Sequence, residues 1–225
     1  MAIGFRILQR KRAVSAELVN KYRGIPVANI SDSMNRMTAG GPRIMAMHAE
    51  GVMCGPALTV KTRPGDNLMV HKALDMAVEG DVIVVDAGGD CTNSIIGEIM
   101  LSIAAKKKLG GVVIDGAIRD YGSIKDGTFP VFAAGISHRG PYKDGPGEIN
   151  VPIAIDGMVI EPGDLVIGDD DGILCVPFDV AAEICTRSAA KLAAETETFR
   201  QIADGTQDKS WINKRLAELG CEIEK

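Results

Sequence analysis

Aromatic side chains are scarce: Phe, Trp and Tyr make up 4% of the 225 residues, while hydrophobic residues in all make up 46%. The core must therefore be aliphatic, and a stacking platform for single-stranded nucleic acid is not expected. A net positive charge is lacking as well. The formal net charge is -5, so the electrostatic footprint of a nucleic-acid binder is missing. An anionic substrate would need cations gathered locally. No uninterrupted apolar run reaches the length of about 18 residues that a membrane-spanning helix needs. Residues 1–14 carry too many charges for a signal-peptide core. The five cysteines (Cys54, Cys91, Cys175, Cys185 and Cys221) show no CxxC spacing and read as reduced thiols, mostly small core residues. The cytoplasm is the expected compartment. Neither GxGxxG nor a P-loop occurs, so no nucleotide-cofactor motif supports a dehydrogenase or a kinase.

What the chain does have is glycine, 26 residues of it, punctuating short apolar runs. Residues 15–23 read as an amphipathic helix. Ser31-Asp32-Ser33 looks like a helix cap before residues 34–37. Residues 55–61 are a strand candidate, residues 64–67 a turn and residues 68–78 a helix. Residues 82–86 form a continuous apolar strand, of the kind buried on both faces. Residues 94–108 have helical spacing, with Ile95, Ile99, Ile103 and Leu109 on one side and lysines near the C-terminal end, where cations suit the helix dipole. Gly110-Gly111 ends that helix, and residues 112–115 are the next short buried strand. Strand, helix and strand in this length make a βαβ unit with parallel strands.

The second half is richer in strands, expected at residues 130–134, 151–155, 158–160, 165–168 and 173–177. Asp156-Gly157 between two of them is a hairpin signal. Residues 178–203 and 209–220 read as helices. One compact α/β domain over residues 1–225, with a βαβ core and helical ends, is the simplest account.

The chemistry centres on the exit from the strand at 112–115, read as the loop Gly116-Ala117-Ile118-Arg119-Asp120. Ligands of parallel α/β sheets bind outside the carboxyl ends of the strands. Arg119 offers a planar fork for a carboxylate. Asp120 offers a hard oxygen suited to Mg²⁺ or Mn²⁺. On the dipeptide alone, a local surface ion pair of little consequence is the commoner reading. The second element is the helix start at Gly97-Glu98, whose first N–H groups are unpaired and attract a carboxylate or phosphate. Gly97 would allow a ligand close to the backbone, or simply close helix–sheet packing, with Glu98 complementing the dipole. Together the two elements supply what a 2-oxo-acid requires: a cationic fork, backbone donors and carboxylates for a Lewis-acidic metal.

The segment GEIMLSIAAKKKLGGVVIDGAIRD (residues 97–120) resembles the signature of the family of 4-hydroxy-4-methyl-2-oxoglutarate and 4-carboxy-4-hydroxy-2-oxoadipate aldolases. That family also includes the regulator of ribonuclease E activity, and its members were once mislabelled as menaquinone methyltransferases. PGDNLMVHKALD (64–75), GDVIVVD (80–86) and INVPIAIDGMVIEPGDLVIGDDDGILCVP (149–177) carry the resemblance over nearly the whole chain. It implies a swivelling β/β/α-type fold and a metal-dependent, class II pyruvate aldolase. Such an enzyme cleaves a 4-hydroxy-2-oxo-dicarboxylate to pyruvate and a second oxo-acid, with oxaloacetate decarboxylation as a side activity. The backbone of Gly97, Glu98, Ile99 and Met100 and the side chain of Arg119 would hold the pyruvyl group. Asp120 would bind Mg²⁺ or Mn²⁺. Glu98, twenty-one positions before the arginine, stands where the studied aldolases have Asp as the acid–base group. Glu195, or its neighbour Glu197, would reach the metal from the C-terminal helix of an adjoining subunit, within a homotrimer or homohexamer in which residues 178–220 pack on that neighbour. The regulator branch, which would bind a ribonuclease or helicase without catalysis, has an acidic residue where this chain has Ser123.

Other candidates read as less chemical. Asp169-Asp170-Asp171-Gly172 lacks the alternating ligands of an EF-hand and is better taken as a tight turn. His71 is either an auxiliary active-site group or a helix-face residue. His48 and His138 have no partner spacing for zinc, and Cys91 has no paired histidine.

Overall fold

A computed structural model describes residues 3–38 and 40–223. The elements in chain order are β1 (Phe5–Ile7), α1 (Ala16–Tyr22), α2 (Val27–Ser33), β2 (Met45–Ala46), β3 (Met53–Thr62), α3 (Leu68–Met76), β4 (Val82–Asp86), β5 (Ser94–Ile96), α4 (Glu98–Lys106), β6 (Gly111–Ile118), α5 (Tyr121–Ile124) and β7 (Val131–Ile136). They continue with β8 (Gly147–Ile149), β9 (Ile153–Ile155), β10 (Met158–Ile160), β11 (Leu165–Asp169), β12 (Gly172–Val176), a 3₁₀ turn at Phe178–Val180, α6 (Ala181–Asp204) and α7 (Ser210–Glu218).

The central sheet runs β1-β8-β3-β4-β6-β7-β2. The expected βαβ unit is there: β4 and β6 pair in parallel, Val82 opposite Gly111 through Asp86 opposite Asp115. Long β3 joins two sheet regions. Its first half pairs antiparallel with β11 and its second half parallel with β4. Helices α3 and α4 cover one face of the sheet over an aliphatic cluster that includes Leu58, Val70, Leu74, Ile83, Ile95, Leu101 and Ile114. The hairpin β9–β10 covers the other face over Val84, Val113, Phe132 and Ile155. Helices α1, α2 and α6 pack on β11 and β12. The layering is thus β/β/α with helical segments toward both ends. The Asp156-Gly157 turn has φ of 48° and 87°, the left-handed pair that a tight hairpin needs.

Three local expectations fail for identifiable reasons. Ser94–Ile96 is strand β5 rather than helix, because it pairs in parallel with the end of β6, and the helix begins only at Glu98. Its buried stripe is Met100, Leu101 and Ala104, whereas Ile99 is 74% exposed. Leu109 lies beyond the left-handed Lys108 and so does not continue the stripe. Residues 116–118 belong to β6, not to a loop, since β5 and β7 give them partners. Ser31-Asp32-Ser33 is the last turn of α2 rather than a cap. That helix starts after Pro26, and its Val27 N–H donates to Asp169 Oδ2 at 2.9 Å, from a residue 142 positions away. The Asp169–Gly172 segment is the tight β11–β12 turn expected of it.

The N-terminal half of α6 buries Ala181, Ile184, Cys185 and Ser188. Its distal half leaves Phe199 and Ile202 exposed, and α7 buries none of its residues. No helix among the described residues is long and apolar enough to cross a membrane.

Candidate active site

The carboxyl end of β6 fixes Arg119 and Asp120, the two residues at the centre of the candidate site. The Arg119 N–H donates to Ile96 O at 3.0 Å, so β5 sets where Arg119 leaves the sheet. Asp120 then turns the chain with φ 59° and ψ 33°, a left-handed pose that Asp tolerates and that concentrates at functional sites. Its Oδ2 accepts the Glu98 N–H at 3.0 Å and lies 3.7 Å from Arg119 Nε. The ion pair of the bland reading therefore exists, but as part of a larger array. Among the described residues Asp120 Oδ1 has no hydrogen-bond partner.

Gly97 is what allows this approach. A Cβ there would fall on the Asp120 carboxylate and 2.8 Å from Arg119 Cγ. Its φ of -148° is ordinary extended backbone, so the glycine is required by crowding and not by conformation. The close approach comes from the protein's own carboxylate rather than from a ligand. One of the four free N–H groups at the start of α4, that of Glu98, is already taken. Those of Gly97, Ile99 and Met100 precede the first intrahelical bond, Leu101 N–H to Gly97 O, and remain donors for an anion.

The side chains of α4 diverge to two hollows. Ile99 and Met100 line a cleft of about 250 Å³ with Asn67, His71, Arg119 and Lys143. Glu98 lies on the other stripe. It opens on a cleft of about 170 Å³ with Leu101, Ser123, Ile124 and Phe129, and its Oε2 accepts the Ser123 hydroxyl at 3.1 Å. Arg119 and Glu98, both next to Asp120, therefore open on different hollows. A larger hollow, about 670 Å³, lies elsewhere, between α2 and the β11–β12 turn. Its lining includes Asp170 and Asp171 and no cation among the described residues, so it does not suit an oxo-acid.

Two members of the Arg119 cleft, Asn67 and Lys143, escaped the sequence reading, as did Asp66, which supports them. Asp66, fully buried, accepts N–H bonds from Leu68 (2.9 Å), Asp144 (2.7 Å) and Gly145 (2.8 Å). It thereby clamps residues 142–145 against the start of α3 and brings Lys143 to the cleft. Asn67 is buried; its Nδ2 donates to Ile95 O at 2.9 Å, while its Oδ1 has no partner among the described residues. An unpaired buried acceptor is costly, and this one borders the same cleft as Arg119. The segment 64–67 looked like a turn and nothing more. His71 does face the cleft, and burial, then Lys143, lowers its pKa from the ordinary imidazole value.

The remaining candidates lie apart. Glu195 bonds Asn29 Nδ2 at 2.6 Å and lies 3.3 Å from Lys191 Nζ, and Glu197 bonds Arg200 and Gln201. Within the chain both belong to α6, where it leaves the helices α1 and α2. His48 spends both ring nitrogens on backbone groups of Val131 and Gly51. His138 lies in a loop outside the cleft, and Cys91 is exposed. Asp115, read only as a strand end, is a buried carboxylate held by Arg43 Nη1 at 2.6 Å. Arg43 also meets Asp156 at 2.7 Å, and these bonds raise its pKa.

The RraA-like family model, described as Aldolase/RraA, matches residues 27–175. The chain belongs to that family. Its RraA-like relatives include a protein of Halalkalibacterium halodurans provisionally named a 4-hydroxy-4-methyl-2-oxoglutarate aldolase. That protein is 39% identical over 89% of this chain and 96% of its own length. A Thermus thermophilus protein named 4-hydroxy-4-methyl-2-oxoglutarate aldolase is 32% identical over 50% of this chain and 68% of its own. Among solved RraA-like structures, that of the RNA-processing inhibitor RraA from Thermus thermophilus superposes with a TM-score of 0.63 at 27% identity. It covers 68% of this chain and 92% of that one. The names of the relatives point to aldolase chemistry, and the family also holds a regulator.

Proposed function

We propose that this chain is a divalent-metal-dependent pyruvate aldolase. It would cleave a 4-hydroxy-2-oxo-dicarboxylate to pyruvate and a second oxo-acid, and decarboxylate oxaloacetate as a side reaction. The observation that carries this reading is the array at the end of β6. Arg119, the Asp120 carboxylate and the first N–H groups of α4 converge where a parallel sheet binds ligands.

The donor set fits Mg²⁺ or Mn²⁺. No group of three His, Cys, Asp or Glu side chains suited to a metal occurs among the described residues. Mg²⁺ is commonly held by one or two carboxylates, with waters and substrate completing the shell. Asp120 would hold it through the unpartnered Oδ1, and Glu195 or Glu197 of an adjoining subunit would add a second carboxylate. The ion supplies Lewis acidity toward the 2-oxo group.

The chain's own groups divide the rest. Arg119 and the N–H groups of Gly97, Ile99 and Met100 bind the pyruvyl carboxylate. His71 and Lys143, at the outer end of the Arg119 cleft, suit the carboxylate of the departing oxo-acid. The Asn67 Oδ1 accepts a hydrogen bond from a substrate hydroxyl or a bound water. Glu98 takes the proton of the C4 hydroxyl as the C3–C4 bond breaks, and a proton returned to C3 completes pyruvate. The exposed apolar residues of distal α6 and α7, Phe199, Ile202, Trp211 and Leu219, suit burial against a neighbour in a homotrimer or homohexamer.

The likeness to an RNA-processing inhibitor favours a second reading, a non-catalytic regulator of a ribonuclease or helicase. The complete set Glu98, Arg119 and Asp120 favours catalysis. The test is pyruvate release from oxaloacetate and from 4-hydroxy-4-methyl-2-oxoglutarate, with Mg²⁺ or Mn²⁺ and with EDTA. Metal-dependent pyruvate from either is expected, and loss of it in Asp120→Ala. If neither substrate gives metal-dependent pyruvate, the aldolase reading is refuted.

A further inference from the structure

Glu98 is a flexible side chain in the first turn of α4, exposed to solvent. Such a side chain has several rotamers, and fixing it costs entropy. Three hydrogen bonds nevertheless close a ring around it. The Glu98 N–H donates to the Asp120 carboxylate at 3.0 Å. The Asp120 carbonyl accepts the Ser123 N–H at 3.0 Å. The Ser123 hydroxyl donates to Glu98 Oε2 at 3.1 Å. One four-residue turn, Asp120 to Ser123, thus fixes both carboxylates. The rest of the hollow beside Glu98 is mainly apolar, with Leu101, Ala105, Ile124 and Phe129 in its lining. Among the described residues, Ser123 is the one side chain that donates to the Glu98 carboxylate.

We propose that Ser123 is a positioning residue that holds the Glu98 carboxylate beside Asp120 for proton transfer. Ser123 does not touch the substrate; it acts through Glu98. The proposal rests on the reading of Glu98 as the proton-carrying group. It assigns the extra reach of glutamate a use, since the side chain extends to the hydroxyl of α5 and is anchored there. A hydrogen bond to a charged group is among the stronger kinds, and losing one on an exposed helix turn should reduce turnover about tenfold.

The test has a kinetic and a spectroscopic arm, both on the full chain. Ser123→Ala should lower kcat about tenfold with KM unchanged, and Ser123→Thr, which keeps the hydroxyl, should restore it. In a Glu98→Gln background, Ser123→Ala should produce no further loss. In metal-free, substrate-free protein labelled with ¹³C at glutamate, the Glu98 Cδ resonance is assigned by its loss in Glu98→Gln. It should move in Ser123→Ala and return in Ser123→Thr. An unmoved Cδ resonance, or an equal kinetic loss in both Glu98 backgrounds, overturns the proposal. A Cδ resonance that responds in protein that releases no pyruvate supports the Ser123–Glu98 link and overturns the aldolase reading alone.

Discussion

Gly97→Ala isolates the close approach on which the site depends. Alanine adopts the extended backbone of this position without strain, so the added methyl group acts only through contact. It would sit on the Asp120 carboxylate and 3.1 Å from Arg119 Nε. The carboxylate must withdraw, and the 3.0 Å bond from the Glu98 N–H is lost. A hydrogen bond to a charged group is worth about 1.5–3 kcal/mol. Asp120 is 41% exposed, so water recovers part of that, and a net cost of about 1 kcal/mol is expected. For a chain of this size that lowers Tm by about 2–4 °C. The catalytic loss should be far larger. A displacement of about 1 Å in a positioned group costs on the order of 100-fold, and here two groups move. Lactate dehydrogenase-coupled pyruvate release and differential scanning fluorimetry measure the two effects. Gly122→Ala is the control, because a Cβ there meets nothing within 4 Å. Full activity and an unchanged Tm in Gly97→Ala would refute the reasoning.

Arg119→Lys keeps the charge but not the fork, so kcat/KM should fall by about 100-fold, as for loss of one oriented donor, with the fold intact by circular dichroism. Asp66→Ala leaves the N–H groups of Leu68, Asp144 and Gly145 unpaired in a buried site. A stability loss of about 3 kcal/mol is expected, read as a fall of roughly 10 °C in Tm, with KM for the dicarboxylate raised as Lys143 is released. His71 has a lowered pKa in the folded protein. The unfolded chain therefore binds the extra proton first, and stability falls as pH drops below the ordinary imidazole value and recovers above it. The distal carboxylate of a bound dicarboxylate reverses that bias, so 2-oxoglutarate, which lacks the C4 hydroxyl, should with Mg²⁺ raise the His71 pKa in an NMR titration. An unmoved titration would place His71 outside the binding cleft.

The βαβ core was readable because its signals are local. Residues 82–85 are apolar throughout, as a strand buried on both faces must be, although the helix before β6 ends at Lys106, ahead of the expected stop at Gly110-Gly111. Arg119 and Asp120 were readable because their place after that strand gave them a role. What escaped depends on distant partners. The start of α2 is capped by Asp169, 142 positions away, so its serines looked like a cap of their own. Ser94–Ile96 has helical spacing, but the open edge of β6 draws it into the sheet. Asp66 lies in a segment that reads as a turn, and only the fold shows that it gathers three backbone donors. Asn67 and Lys143 enter the cleft through that clamp, which no spacing rule encodes. Glu98 was found, but its orientation was not, because Ser123 had been weighed only as a missing acid.

The left-handed backbone at Asp120 carries a consequence for how such a protein can change over generations. That pose suits asparagine and glycine as well as aspartate. A single replacement there would remove the carboxylate and leave β6, α5 and the sheet as they are. The proposed catalysis hangs on a position that architecture does not defend. A descendant could therefore shed its chemistry in one step and keep a folded surface free for other selection.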